Sequence, residues 1–306
     1  SLAIENENSM WASGIDGVFK LNKDLSSSSP LQHTDPKFYN AGNINTSIYY
    51  SDINNTLWSG SRVGLSRLNR KTSMLERSAF EDYFIYTING DNDGHLWVGT
   101  RNNGLIKYDG VNNKVLAKWD FPLVFKTFID SNNKVWVASI GGLYLIDQST
   151  NEYQHFTADK NNPDSLPFDV VTWISAIGDD EYIVGTHSKG LAKMYFADDD
   201  TQPIFERLFT ESAISKLSIG AVVKGVDNNY WITSSEGIAR SNLAFDNIQY
   251  FGEHDGASSS GYFIGSYAID NNDTIYVSGP KGISYFHPDS INFSLSFPDL
   301  RFTHAD

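Results

Sequence analysis

One short phrase occurs seven times along this chain of 306 residues. It is an acidic or Asn-rich turn, an aromatic or apolar pair, a small residue, then Gly followed by an apolar residue. Its clearest copy runs Asp91-Asn92-Asp93-Gly94-His95-Leu96-Trp97-Val98-Gly99-Thr100 and continues to Gly104-Leu105-Ile106-Lys107-Tyr108. The other copies centre on Trp11, Trp58, Trp136, Ile183, Trp231 and Tyr276, so the anchors fall 39 to 48 residues apart. A fixed period of this size marks a repeat architecture, in which each unit buries its apolar face against its neighbours.

Within a unit the pattern is that of strands. Leu96, Val98 and Thr100 alternate with Trp97 and Gly99, a period of two rather than 3.6. Around the third copy, Ile85 to Asn89 reads as a strand and Asp91 to Gly94 as a tight turn. Leu96 to Thr100 returns antiparallel, Asn102-Asn103-Gly104 turns again, and Leu105 to Tyr108 and Lys114 to Trp119 supply two more strands. Four short antiparallel strands in 40–45 residues make a propeller blade. The prediction is therefore an all-β, seven-bladed β-propeller of four-stranded antiparallel blades, one domain over residues 1–306. The recurrent Trp is expected to fill the wedge between adjacent blades, and the strand Gly to allow their close approach.

Composition narrows the function. The formal net charge is −14, and the densest basic run is Arg67-Leu68-Asn69-Arg70-Lys71. Nucleic acid is disfavoured as a partner, because phosphate binding needs a concentrated basic face. No stretch approaches 18 consecutive apolar residues. The absence of Cys excludes disulfides and thiol chemistry.

The phrase at 91–100 with Gly104-Leu105 resembles the two-component-regulator propeller repeat. Two further segments resemble that family: Asn161 to Val171 looks like its connector into a next inner strand, and Gly282 to Asp289 like its last blade. Phe297 to Thr303 resembles the lead-in to a small β-sandwich, placed at 292–306. The resemblance implies the extracytoplasmic sensor of a bacterial two-component-type receptor. It would lie in the periplasm, detect a small molecule such as an oligosaccharide, and act within a receptor dimer. Further propeller, sandwich, membrane and cytoplasmic signalling domains would belong to the same receptor. Family sensors often carry about twice as many blades, so this chain is expected to be part of a longer region.

Candidate site residues lie where the copies disagree. Arg62, Arg101 and His187 share one slot, after Gly60-Ser61, Gly99-Thr100 and Gly185-Thr186, which holds Ile15, Ile140, Ser235 and Pro280 elsewhere. That slot is expected on the face that also carries the blade-to-blade connections. The connections add Tyr83, Trp173 and Tyr262, with Glu81, Asp82, Phe168, Asp169 and Phe263 nearby. Aromatic faces flanked by polar groups suit a sugar, which presents C–H faces for stacking and hydroxyls for hydrogen bonds. The competing expectation is that Trp173 and Phe263 pack in the core.

Catalysis has little to stand on. The seven His show no H-x-x-x-H or H-E-x-x-H spacing, and one His with two Arg makes a poor metal set. The acidic turns, such as Asp91-x-Asp93-Gly94 and Asp270-x-x-Asp273, lack the downstream Glu of a calcium loop and read as Asx turns. No G-x-S-x-G elbow marks a nucleophile. The expectation is no catalytic residue, no metal and no cofactor. The alternatives are a propeller lyase or hydrolase acting on polysaccharide or cyclic peptide, and a protein-interaction scaffold.

Overall fold

The computed structural model describes residues 1–40, 45–197 and 202–291. The expected sandwich lead-in at 292–306 lies outside them. Seven sheets follow one another around a ring. Their inner strands are Leu2–Ile4, Asn45–Ser51, Ile85–Gly90, Val124–Ile129, Val171–Gly178, Ile219–Lys224 and Tyr267–Ile269. In blade 3 the chain then meanders outwards through Leu96–Thr100, Leu105–Asp109 and Lys114–Trp119, each antiparallel to the last. The other blades repeat this order with two local differences. Blade 2 gains a fifth strand, Gln32–His33, parallel to its outer strand Met74–Ala79. Blade 7 has three described strands.

The junctions between blades are apolar cores, separate from blade 1 to blade 5 and continuous across blades 5, 6 and 7. Trp58 of blade 2 lies with Ile85, Leu96, Val98 and Tyr108 of blade 3. Trp97 lies with Val124, Val135 and Val137 of blade 4, and Trp136 with Ile174, Tyr182 and Val184 of blade 5. Ile183 and Tyr276, which replace Trp in the weaker copies, are equally buried. The ring closes by packing between the first and last blades: Leu2 and Met10 meet Ala268 and Tyr276. Lys23 of blade 1 pairs with Asp270 of blade 7 at 3.2 Å.

The strand glycine marks the tightest approach. A Cβ at Gly99 would lie 2.5 Å from Thr87 Cγ2 and 2.8 Å from Val124 Cγ1 of the next blade. Gly60 faces Ile85 and Gly185 faces Ile219 in the same way. Gly99→Ala is expected to cost about 1–3 kcal/mol by overpacking; an unchanged denaturation midpoint would show that the blades can part freely.

The acidic turn residue anchors its own blade. Asp91 accepts hydrogen bonds from the backbone N–H groups of Asp93 and His95 and from the Trp97 indole, and pairs with Lys107 at 3.2 Å. Asp130 and Asp270 hold the same place in blades 4 and 7. Burial alone would raise the Asp91 pKa. The His95 N–H and Lys107 outweigh it and hold the carboxyl below its ordinary 3.8. A depressed carboxylate stabilises the fold above its unfolded pKa, and that contribution is lost as pH falls through the native value. The stability gap between wild type and Asp91→Asn should therefore be widest above about pH 4 and close below it. A gap independent of pH in acid unfolding curves would contradict this.

Candidate ligand-binding site

The variable slot has a fixed backbone and a free side chain. Directly before it, Ser or Thr staples the turn: Thr100 Oγ1 donates to Gly104 O at 2.8 Å, and Thr186 Oγ1 to Gly190 O at 3.0 Å. In four copies the slot residue then donates its N–H to the residue that precedes the inner strand. Arg101 bonds to Phe84, Ile140 to Leu123, His187 to Val170 and Ser235 to Ser218, at 2.9–3.1 Å. This ties the turn between the second and third strands to the blade-to-blade connection, so both lie on one face of the ring. The blade specifies the slot backbone, and the outward side chain is left for other uses.

On that face Arg62 and Arg101, from adjacent blades, converge on one ring. Their guanidinium carbons lie 5.5 and 5.6 Å from the centroid of Phe84. Phe84 contacts Tyr86 at 6.2 Å, and Tyr86 meets Phe125 of blade 4 edge-on at 5.4 Å. Burial raises the Tyr86 phenol above its usual pKa, with Arg101 opposing. Tyr83 stacks on Phe80 at 5.8 Å and lies beneath Lys118. His187 is exposed and hydrogen-bonds Ser218 at 3.1 Å. No described contact joins it to the arginine pair.

The remaining candidates lie deeper. Trp173 is 1% exposed and its indole donates to Ser175 at 3.0 Å. Tyr262 is 6% exposed; its hydroxyl accepts from the Ser258 N–H and donates to Ser284 Oγ, both at 2.9 Å, pinning the connection into blade 7. Phe263, expected in the core, is 51% exposed instead. Side chains alternate along extended backbone, and Tyr262 has taken the inward position.

Sequence reasoning passed over Phe84, Tyr86, Phe125, Lys126 and Tyr267. The signal that could have found them is again disagreement between copies. Five inner strands share a β-bulge at their second residue, which is Thr46, Tyr86, Phe125, Thr172 or Gly220. Where it is Thr, the hydroxyl donates to the carbonyl of the next blade, as Thr172 does to Ile219 at 2.8 Å. In blades 3 and 4 that structural Thr is replaced by aromatics, and bulges commonly re-aim side chains beside functional sites. The inner strands of blades 1–4 and 7 border an open cavity of about 320 Å³, which Phe125, Lys126, Thr127 and Tyr267 help to line.

Among the described residues, Asp91, Asp93 and His95 come within 4.8 Å of one another. Asp91 already serves the turn, the Trp97 indole and Lys107, as given above, so this cluster belongs to the blade scaffold.

Residues 79–102, spanning Tyr83, Phe84 and Arg101, match the two component regulator propeller family. Histidine kinase P4 of Formosa agariphila is 26% identical over 270 residues, which is 82% of this chain and 19% of that protein. The chain thus spans about a fifth of this curated relative. Two solved structures share the fold. The extracellular domain of a hybrid two component system from B. thetaiotaomicron has a TM-score of 0.51 and 16% identity, covering 93% of this chain and 45% of that one. Virginiamycin B lyase from Staphylococcus aureus has a TM-score of 0.66 and 15% identity, with 90% of each chain covered. The chain is a seven-bladed β-propeller, and its residues 79–102 are similar to the two component regulator propeller repeat. No helix among the described residues is long and apolar enough to cross a membrane.

Proposed function

We propose that this propeller is the ligand-sensing part of a bacterial two-component-type receptor, lies in the periplasm, and binds an oligosaccharide without transforming it. The observation that carries the reading is the convergence of Arg62 and Arg101 on Phe84, of which Phe84 and Arg101 lie in the segment that the family match covers. Guanidinium groups offer several donors in a fixed fork, and the neighbouring Tyr83, Phe84 and Tyr86 offer faces for the C–H surface of a sugar ring. The output would lie in parts of the receptor beyond this chain, as the short span of histidine kinase P4 covered here suggests. Ligand binding can bias such an output, including a dimer rearrangement, only by favouring one arrangement over the other.

A thermal-shift screen against oligosaccharides tests the site. At least one sugar should raise the melting temperature, and the double variant Arg62→Ala/Arg101→Ala should weaken its binding about tenfold, the scale of one or two lost charged hydrogen bonds. No response to any sugar, with a clear response to a peptide or nucleotide, would sink the carbohydrate reading. The lyase fold relative keeps a second reading in play. A stoichiometric transition metal at His187 in purified protein would favour it over the sensor.

A further inference from the structure

We propose that the sugar recognised here is acidic, and that Lys126 receives its carboxylate or sulfate group inside the central channel. This rests on the carbohydrate reading above and specifies the ligand class. Lys126 carries the only charged side chain among those lining the cavity. Its ammonium lies 4.1 Å from the ring centroid of Trp173 and 5.6 Å from that of Tyr267. Those rings come from blades 5 and 7 and touch each other at 5.3 Å.

The contrast with the other sheltered lysines makes the case. Lys20, Lys23, Lys107, Lys134 and Lys193 are partly buried like Lys126, and each pairs with a carboxylate at 2.6–3.2 Å. Among the described residues Lys126 has no such partner, in a chain with 37 Asp and Glu against 23 Lys and Arg. Aromatic faces hold an ammonium in place, but they do not neutralise it. The charge is therefore left facing the cavity from a partly buried position, where attraction for an anion exceeds its value in bulk water. Beside it Thr127 is 1% exposed, and its Oγ1 is buried without a hydrogen-bond partner among the described residues.

The route to Lys126 is cationic at both ends. Phe125, next to Lys126 in the cavity wall, connects through Tyr86 to Phe84, which Arg62 and Arg101 flank. A chain of sugar rings lying over these aromatics would meet the arginine pair at the mouth and Lys126 inside. The net charge of −14 works against anions elsewhere on the surface.

The test is calorimetric titration of the whole chain with three oligosaccharides of equal length: a neutral galactan, a sulfated galactan and an oligogalacturonate. At low salt one acidic sugar should bind at least about tenfold more tightly than the neutral one, and added NaCl should narrow that margin. The better of the two acidic sugars identifies the anion as sulfate or carboxylate. Lys126→Gln should abolish the preference and Lys126→Arg should keep it. Lys71→Gln, in a turn on the opposite face, should change nothing. Equal binding of neutral and acidic sugars by the wild type, or a preference that survives in Lys126→Gln, would overturn the inference and leave the carbohydrate reading standing. Failure to bind any oligosaccharide would overturn both.

Discussion

Trp97→Ala is expected to destabilise the protein by about 3–5 kcal/mol, the usual cost of truncating a fully buried aromatic. Trp97 is 0% exposed and stacks on Trp119 at 5.4 Å. Lys107 lies 5.1 Å above its ring, and its indole donates to Asp91 at 3.3 Å. The cavity would open between blades 3 and 4, a junction formed by two sheets that share no strand, so it could shrink only if one whole blade moved. Urea unfolding followed by circular dichroism measures the loss. A change below about 1 kcal/mol would mean that the indole does not bridge the blades.

Asp130→Ala should be nearly as damaging, for an electrostatic reason. One oxygen of Asp130 accepts from the Tyr182 hydroxyl at 2.6 Å and the Trp136 indole at 3.2 Å; the other accepts from the N–H groups of Asn132 and Lys134 at 2.9 Å. Tyr182 belongs to blade 5, so a single carboxylate closes a turn, orients a wedge and crosses a blade junction. Burial, then Asp130, drives the Tyr182 phenol pKa far above its usual 10, so the hydroxyl remains a donor throughout the accessible pH range. Removing the acceptor leaves buried donors unpaired, at about 1.5–3 kcal/mol for each bond to a charged group. A loss of about 3 kcal/mol or more is expected, and Tyr182→Phe should recover part of it in a double-mutant cycle. Additive effects of the two substitutions would show that the blades are not coupled through this bond.

The scaffold was legible because its causes are local. The turn aspartate, the Trp six residues later and the Gly two beyond that act over a few residues of chain. Each has the place its chemistry suits, with Asp91 as turn anchor, Trp97 as wedge and Gly99 at the close approach. Degenerate copies stayed readable for the same reason, since Ile183 and Tyr276 occupy the wedge place with different side chains. The parallel strand Gln32–His33 was not legible, because its pairing with Met74–Ala79 spans about 40 residues and carries no periodic signal. The site was legible only in part. The slot of Arg62, Arg101 and His187 could be located by comparing copies, and Tyr83 by its place in a connection. The exposure of Phe263 turned on a one-residue choice of which side chain faces inwards at a loop.

The sequence by itself determined the blades, their number and the positions exempt from the blade's demands, because a repeat writes its local requirements once per unit. Only the tertiary structure decided which of those positions meet. Arg62 and Arg101 share Phe84 because adjacent blades bring equivalent slots together, whereas His187, in the same slot two blades further on, has its own partner in Ser218. Lys126 lies against both Trp173 and Tyr267 because the ring closes and brings blades 5 and 7 to one channel. Contacts of that kind depend on curvature accumulated over seven sheets, and no single unit of the repeat encodes it.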